Sequence, residues 1–124
     1  MHEMPVAQHV LNLALQAAGR RRVTDIYLRV GELSAVVPAS VEVFFAHLSR
    51  GTPAEGARLH FQSAALAMHC PDCHRPADLS PWRDLPPIMA MARALARGCP
   101  CGGRLLVTDG AGFELTEVVV EDEP

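Results

Sequence analysis

The sequence has no uninterrupted apolar stretch of the roughly 18 to 20 residues that a membrane-spanning helix needs, so no transmembrane segment is expected. Aromatic residues are scarce at 5 %, and the formal net charge is −3. A nucleic-acid-binding face needs a basic patch interleaved with stacking aromatics, and an anionic membrane surface also attracts positive charge. Both classes of partner are therefore disfavoured. The one dense basic run, Arg20 to Arg22, reads as a solvated helix end, where cations suit the negative end of the helix dipole. No H-E-x-x-H or similar cluster is present. A metal-dependent hydrolase, which needs an open coordination position and a general base, is disfavoured as well, and no enzymatic activity is expected. The first residues lack a basic region followed by a purely apolar core, so no signal peptide is expected and the chain is assigned to the reducing cytoplasm.

What is present is a globular composition, 49 % hydrophobic and 20 % charged over 124 residues, enough for one compact domain with a small appendage. Residues 4–18 read as a helix, with Met4, Ala7, Leu11, Ala14 and Ala18 recurring at intervals of three and four and Gly19 placed to stop it. The period then changes to two over residues 23–33, where Ile26, Leu28 and Val30 alternate with Asp25, Tyr27 and Arg29. Pro38 opens a second helix with an apolar face of Val41, Phe44, Phe45 and Leu48. Residues 57–68 read as a second strand and 112–121 as a third, with a change of phase near Glu117 that marks a bulge.

This order predicts an α+β fold, two helices packed on a three-stranded sheet, with a zinc-ribbon-like lobe inserted before the last strand. Residues 1–68 and 104–124 make the core and residues 69–103 the lobe.

All four cysteines lie in that lobe, as Cys70-Pro71-Asp72-Cys73 and Cys99-Pro100-Cys101. In a reducing compartment two close pairs favour metal over disulfides. Four thiolates suit tetrahedral zinc, with Zn–S bonds of about 2.3 Å and neighbouring sulfurs roughly 3.8 Å apart. The shorter second pair reaches that geometry if Pro100 holds Cys99 extended, so that residues two apart point the same way. Either His69 or His74, flanking the first pair, offers an alternative to one sulfur. The long spacer, residues 74–98, contains Pro86 and Pro87 followed by Ile88, Met89, Met91, Ala92 and Leu95. That pattern predicts a short helix with one apolar face, which either packs on the lobe or presents adaptable methionines to a partner.

Met1-His2-Glu3 offers a terminal amine, the amide nitrogen and imidazole of His2, and the amide nitrogen of Glu3. Four nitrogens in a plane suit Ni(II) or Cu(II). Glu32, Glu42 and His47 are further groups able to assist a metal or partner, though each also reads as an ordinary surface residue.

Met1-His2-Glu3-Met4, Val30-Gly31-Glu32-Leu33-Ser34, Gly51-Thr52 with Glu55-Gly56-Ala57, and the paired cysteines, in that order, resemble the HypA/HybF family of hydrogenase nickel-incorporation proteins. The resemblance implies a nickel-binding domain (residues 1–68 and 104–124) with Met1, His2 and Glu3 at the nickel site. It implies a zinc-binding domain (residues 69–103) held by Cys70, Cys73, Cys99 and Cys101. It further implies that Ni(II) is cargo and Zn(II) structural. The expected partners are the large subunit of [NiFe]-hydrogenase and a HypB-type GTPase, with urease served by some relatives. The family usually has C-x-x-C at both places and a shorter spacer, so the long spacer suggests a specialised docking or oligomer contact and leaves a swapped homodimer open. The competing reading is a zinc-ribbon module binding protein or nucleic acid.

Overall fold

The structure, a computed structural model, describes residues 3–122. Its elements are α1 (Glu3–Ala18), β1 (Val23–Gly31), α2 (Pro38–Leu48), β2 (Arg58–Ala64), β3 (Ala67–His69), α3 (Pro87–Arg97), β4 (Leu106–Asp109) and β5 (Phe113–Val120), with 3-10 turns at Glu32–Ser34 and Ser80–Trp82. They form two compact units. The first comprises Met1–Val30, Ala35–Gln62 and Phe113–Pro124, the second Gly31–Ser34 and Ser63–Gly112.

In the first unit, β2, β1 and β5 form a three-stranded sheet in that order, with β5 antiparallel to β1. Helix α1 buries Ala7, Val10, Leu11, Ala14 and Ala18, β1 buries Ile26 and Leu28, and α2 buries Val41 and Phe45. Three alanines on the buried stripe of α1 allow a close approach to its neighbours, which larger side chains would prevent. Met4, expected on that stripe, is 49 % exposed, and Val10 takes its share of the core. Gly19 stops α1 as expected. Its φ is +65° and its amide donates to the Leu15 carbonyl at 3.1 Å, a left-handed cap that glycine adopts without steric cost. The bulge in β5 is also present. Tyr27 faces Glu117 and Leu28 faces Leu115, so Thr116 is the extra residue. It shifts the phase so that Leu115 and then Val118 and Val120 pack on the core.

The expected strand over 57–68 is two strands. After Ala64 the chain leaves the first sheet, and β3 pairs antiparallel with β4 in a second, two-stranded sheet. Leu66, Met68 and Leu105 are buried in a separate core with Cys70, Ala90 and Ala94. The second unit is therefore wider than the residues 69–103 read from sequence, because apolar residues on both sides of the cysteines close over them. Residues 31–34 join it through three hydrogen bonds. The Gly31 amide donates to the Gly112 carbonyl at 2.7 Å, the Leu33 amide to the Gly110 carbonyl at 2.9 Å, and the Leu66 amide to the Glu32 carboxylate at 2.8 Å.

The spacer helix α3 forms where expected, but its packed face differs. Ala90 and Ala94 are buried and Met91 packs against the same core, whereas Ile88, Met89 and Leu95 remain exposed. The small alanines fit into this core, and the larger residues stay outside it. The Arg97 guanidinium lies 4.6 Å from the Trp82 ring centroid and donates to the Asp78 carbonyl at 3.3 Å, fixing the end of α3 against the preceding loop.

Candidate metal centre

The cysteine pairs sit on two tight turns of one design. In the first, the Cys70 amide donates to the Arg75 carbonyl at 3.0 Å and the Cys70 carbonyl accepts from the His74 amide at 2.8 Å. In the second, the Cys99 amide donates to the Gly103 carbonyl at 3.0 Å and the Cys99 carbonyl accepts from the Gly102 amide at 2.8 Å. A left-handed residue closes each turn, His74 at φ +62° and Gly102 at φ +91°. The second turn is the first with one residue removed and both closures retained. This corrects the expectation that Cys99 to Cys101 run extended. Pro100 instead takes the first corner of a β-turn that closes from the Cys99 carbonyl to the Gly102 amide, a position its fixed φ favours, and the turn swings both sulfurs to one side.

All four sulfurs lie within 4.8 Å of one another. Cys70 Sγ is 3.5 Å from Cys101 Sγ and Cys73 Sγ is 3.6 Å from Cys99 Sγ. These separations are close to the roughly 3.8 Å edge of a tetrahedral zinc–thiolate site, and all four cysteines are free. The donor set fits a closed structural zinc. Burial runs from Cys70, which is 0 % exposed, to Cys101, which is exposed. Neither flanking histidine belongs to the cluster. His74 is exposed, and His69 lies on β3 opposite Leu106 with its Nδ1 buried and unpartnered among the described residues.

Two residues beside the sulfurs carry no metal-ligand signature in the sequence. The Arg75 side chain and backbone beside Cys73 favour the thiolate, and this outweighs desolvation to hold the Cys73 thiol down to about 6. A backbone hydrogen bond from Gly103 pulls Cys101 down, but the adjacent Cys99 and Cys70 sulfurs and desolvation prevail, leaving it at about 12. One guanidinium thus compensates part of the negative charge that four thiolates concentrate. Partners of this kind typically change metal affinity 10- to 100-fold when removed. Arg75→Ala should accordingly lose zinc to a competing chelator at least tenfold more readily than the parent, with Arg75→Lys between them; equal retention in all three would remove the role assigned to the guanidinium.

Gly103 is constrained by space as well as by the turn. A Cβ there would lie 2.8 Å from Cys70 Sγ and 2.6 Å from an Asp72 carboxylate oxygen. Gly103→Ala should force the two turns apart and lower the unfolding midpoint of the zinc-loaded lobe, at a cost of about 1–3 kcal/mol. An unchanged melting curve and unchanged zinc content would show that the turns have room to give.

Of the N-terminal candidates, Met1 and His2 lie outside the described residues. Glu3 is the first residue of α1, and its carboxylate accepts the Val37 amide at 3.4 Å. Glu32 holds the Leu66 amide, while Glu42 and His47 are exposed on α2. None of these three belongs to a cluster of metal-ligating side chains among the described residues.

The family model described as "Hydrogenase/urease nickel incorporation, metallochaperone, hypA" matches residues 1–120. The hydrogenase maturation factor HypA of Geotalea uraniireducens (strain Rf4) is 40 % identical over 123 residues, covering 98 % of this chain and 100 % of that protein. The HypA of Geobacter sp. (strain M21) is 46 % identical over 74 residues, 60 % of this chain and 67 % of its own length. Among solved structures, a HypA solution structure superposes with a TM-score of 0.69 at 17 % identity, covering 99 % of this chain and 98 % of that one. The nickel metallochaperone HypA from Helicobacter pylori superposes with a TM-score of 0.64, also at 17 % identity, covering 99 % and 100 %. At that identity the two structures bear on fold alone. The whole-length family match and the relatives' identity go further: this chain belongs to the HypA family of hydrogenase and urease nickel-incorporation metallochaperones.

Proposed function

We propose that this chain binds Ni(II) through the Met1 amine, the backbone nitrogens of His2 and Glu3 and the His2 imidazole, and delivers it during maturation of [NiFe]-hydrogenase. The observation that carries this reading is the family match, which begins at residue 1 and so includes Met1-His2-Glu3. The start of α1 supports it physically. Glu3 opens the helix, and the first amides of a helix have no intrahelical acceptor. Deprotonating the Glu3 nitrogen breaks no ladder bond, and the positive end of the helix dipole favours the anion formed. Two deprotonated amides neutralise a divalent ion, so the bound cargo adds no net charge at that end. The Glu3 carboxylate tethers the first turn to the Val37 amide and so steadies one end of the chelate.

In this reading the first unit is the nickel domain, and the second is a zinc domain held by Cys70, Cys73, Cys99 and Cys101. Zinc there supplies cross-linking and no turnover, since four thiolates leave no open position. The role is transfer without catalysis. Ligands on a chain terminus leave one at a time, which allows tight binding and release to coexist. The receiving partner is the hydrogenase large subunit, working with a HypB-type GTPase in the cytoplasm, and a homodimer is compatible with it. Equilibrium dialysis of nickel against untagged protein tests the site. Uptake should be full at neutral pH and fall on acidification, because imidazole and amide nitrogens bind metal only when deprotonated. No uptake at neutral pH, or uptake that persists unchanged at pH 5, would overturn it.

A further inference from the structure

Strand β2 ends its sheet, with β1 on one side and no strand on the other among the described residues. Exposed edges of this kind pair with other chains unless lysine, proline, a bulge or a covering element blocks them. The β2 sequence, Arg-Leu-His-Phe-Gln-Ser-Ala, has no proline or lysine, and its one permanent charge is at its first residue.

Beside it runs a groove of about 410 Å³ between α2 and β2, lined by Glu42, Phe45 and Ala46 from the helix and by Arg58, Leu59 and His60 from the strand. Its floor is apolar, and Phe45 is almost fully buried beneath it. Its ends differ in charge. At the start of β2 the Arg58 side chain is 79 % exposed, with its Nε 3.4 Å from the Asp25 carboxylate. The Arg22 guanidinium donates to the Glu55 carbonyl at 3.2 Å, beside Gly56, which also lines the groove. Glu42 supplies the negative charge on the helix wall.

We propose that this edge and groove bind an extended acidic segment of a partner protein as a fourth strand. The free edge would supply main-chain hydrogen bonds. The groove between Phe45 and Leu59 takes a Val- or Ile-sized side chain from every second position, and Arg22 and Arg58 face the acidic end. Strand addition works by this division of labour, with backbone bonds giving affinity and pockets for alternate side chains giving specificity. A second copy of the chain, paired antiparallel through β2, would set its Arg58 opposite Ala64 and bring no carboxylate from β2 to the basic end. The proposal is independent of the nickel site.

The test uses the zinc-loaded full chain and a phage-displayed library of peptides about nine residues long. Enriched peptides should alternate apolar and polar residues and carry Asp or Glu near one end. Their synthetic forms should slow amide exchange across Arg58–Ala64. Filling the groove with Ala46→Trp, or reversing charge with Arg58→Glu, should each weaken binding roughly tenfold or more, with Arg58→Gln between parent and Glu. Dispersed amide spectra of each variant confirm that it is folded. Three outcomes would overturn the proposal: no enrichment, enriched peptides that bind all variants equally, or a concentration-dependent dimer dissolved by Ala46→Trp.

Discussion

His2→Ala, or any extension fused ahead of Met1, should abolish uptake of about one nickel per chain at neutral pH while leaving zinc content untouched. In the proposed chelate the imidazole and the terminal amine would be the outer members of fused rings, so loss of either would open the planar donor set rather than weaken one bond. Acylation of the amine alone should act as severely as loss of the imidazole, which distinguishes a chelate from a simple histidine site. Independence from zinc follows from construction, because the cysteines belong to a unit with its own core. Metal analysis of the parent, His2→Ala and an N-terminally extended form decides it. Nickel retained in full by both variants would exclude the terminus, and nickel lost only with the cysteines would move the cargo to the thiolates.

Cys101→Ser should lose zinc and unfold the second unit while the first remains intact. The second core is small, holding Leu66, Met68, Cys70, Ala90, Ala94 and Leu105, with a sheet of only two short strands. Structural zinc contributes about 10–16 kcal/mol of apparent binding energy in comparably small sites, more than such a core supplies by itself. Cys101 is the informative choice because it is exposed. Serine there removes one ligand without disturbing packing, whereas Cys70→Ser would also place a hydroxyl in the core. Hydrogen exchange should show loss of protection from Leu66 to Gly112 with α1, α2 and the first sheet still protected. Retained zinc with a native exchange pattern would mean that three thiolates suffice.

Most of the first unit is legible in the sequence because its periodicities are clean. Ala7, Leu11, Ala14 and Ala18 mark one helix face, Ile26 and Leu28 mark a half-buried strand, and the phase change near Glu117 marks the bulge. The missed features depend on tertiary context. Nothing local divides residues 57–68 into two strands of different sheets, since Leu59, Phe61, Leu66 and Met68 are apolar alike and only their destinations differ. The α3 face was misread because hydrophobicity points to Ile88 and Leu95, whereas the space available selects alanines. The second cysteine turn was misread because Pro100 suits both an extended segment and a β-turn corner, and only the hydrogen bonds closing on Gly102 and Gly103 choose between them. Arg75 carries no metal signature at all, and its role appears only once Cys73 is beside it.

The last strand in the chain has a consequence for timing. Strand β5 pairs with β1, so a ribosome translating this message exposes one flank of β1 throughout synthesis of everything between them. The sheet closes only when Phe113–Val120 emerges, after the whole cysteine lobe has left the exit tunnel. A nascent chain stalled upstream therefore holds an incomplete sheet, with one flank of β1 still unpaired.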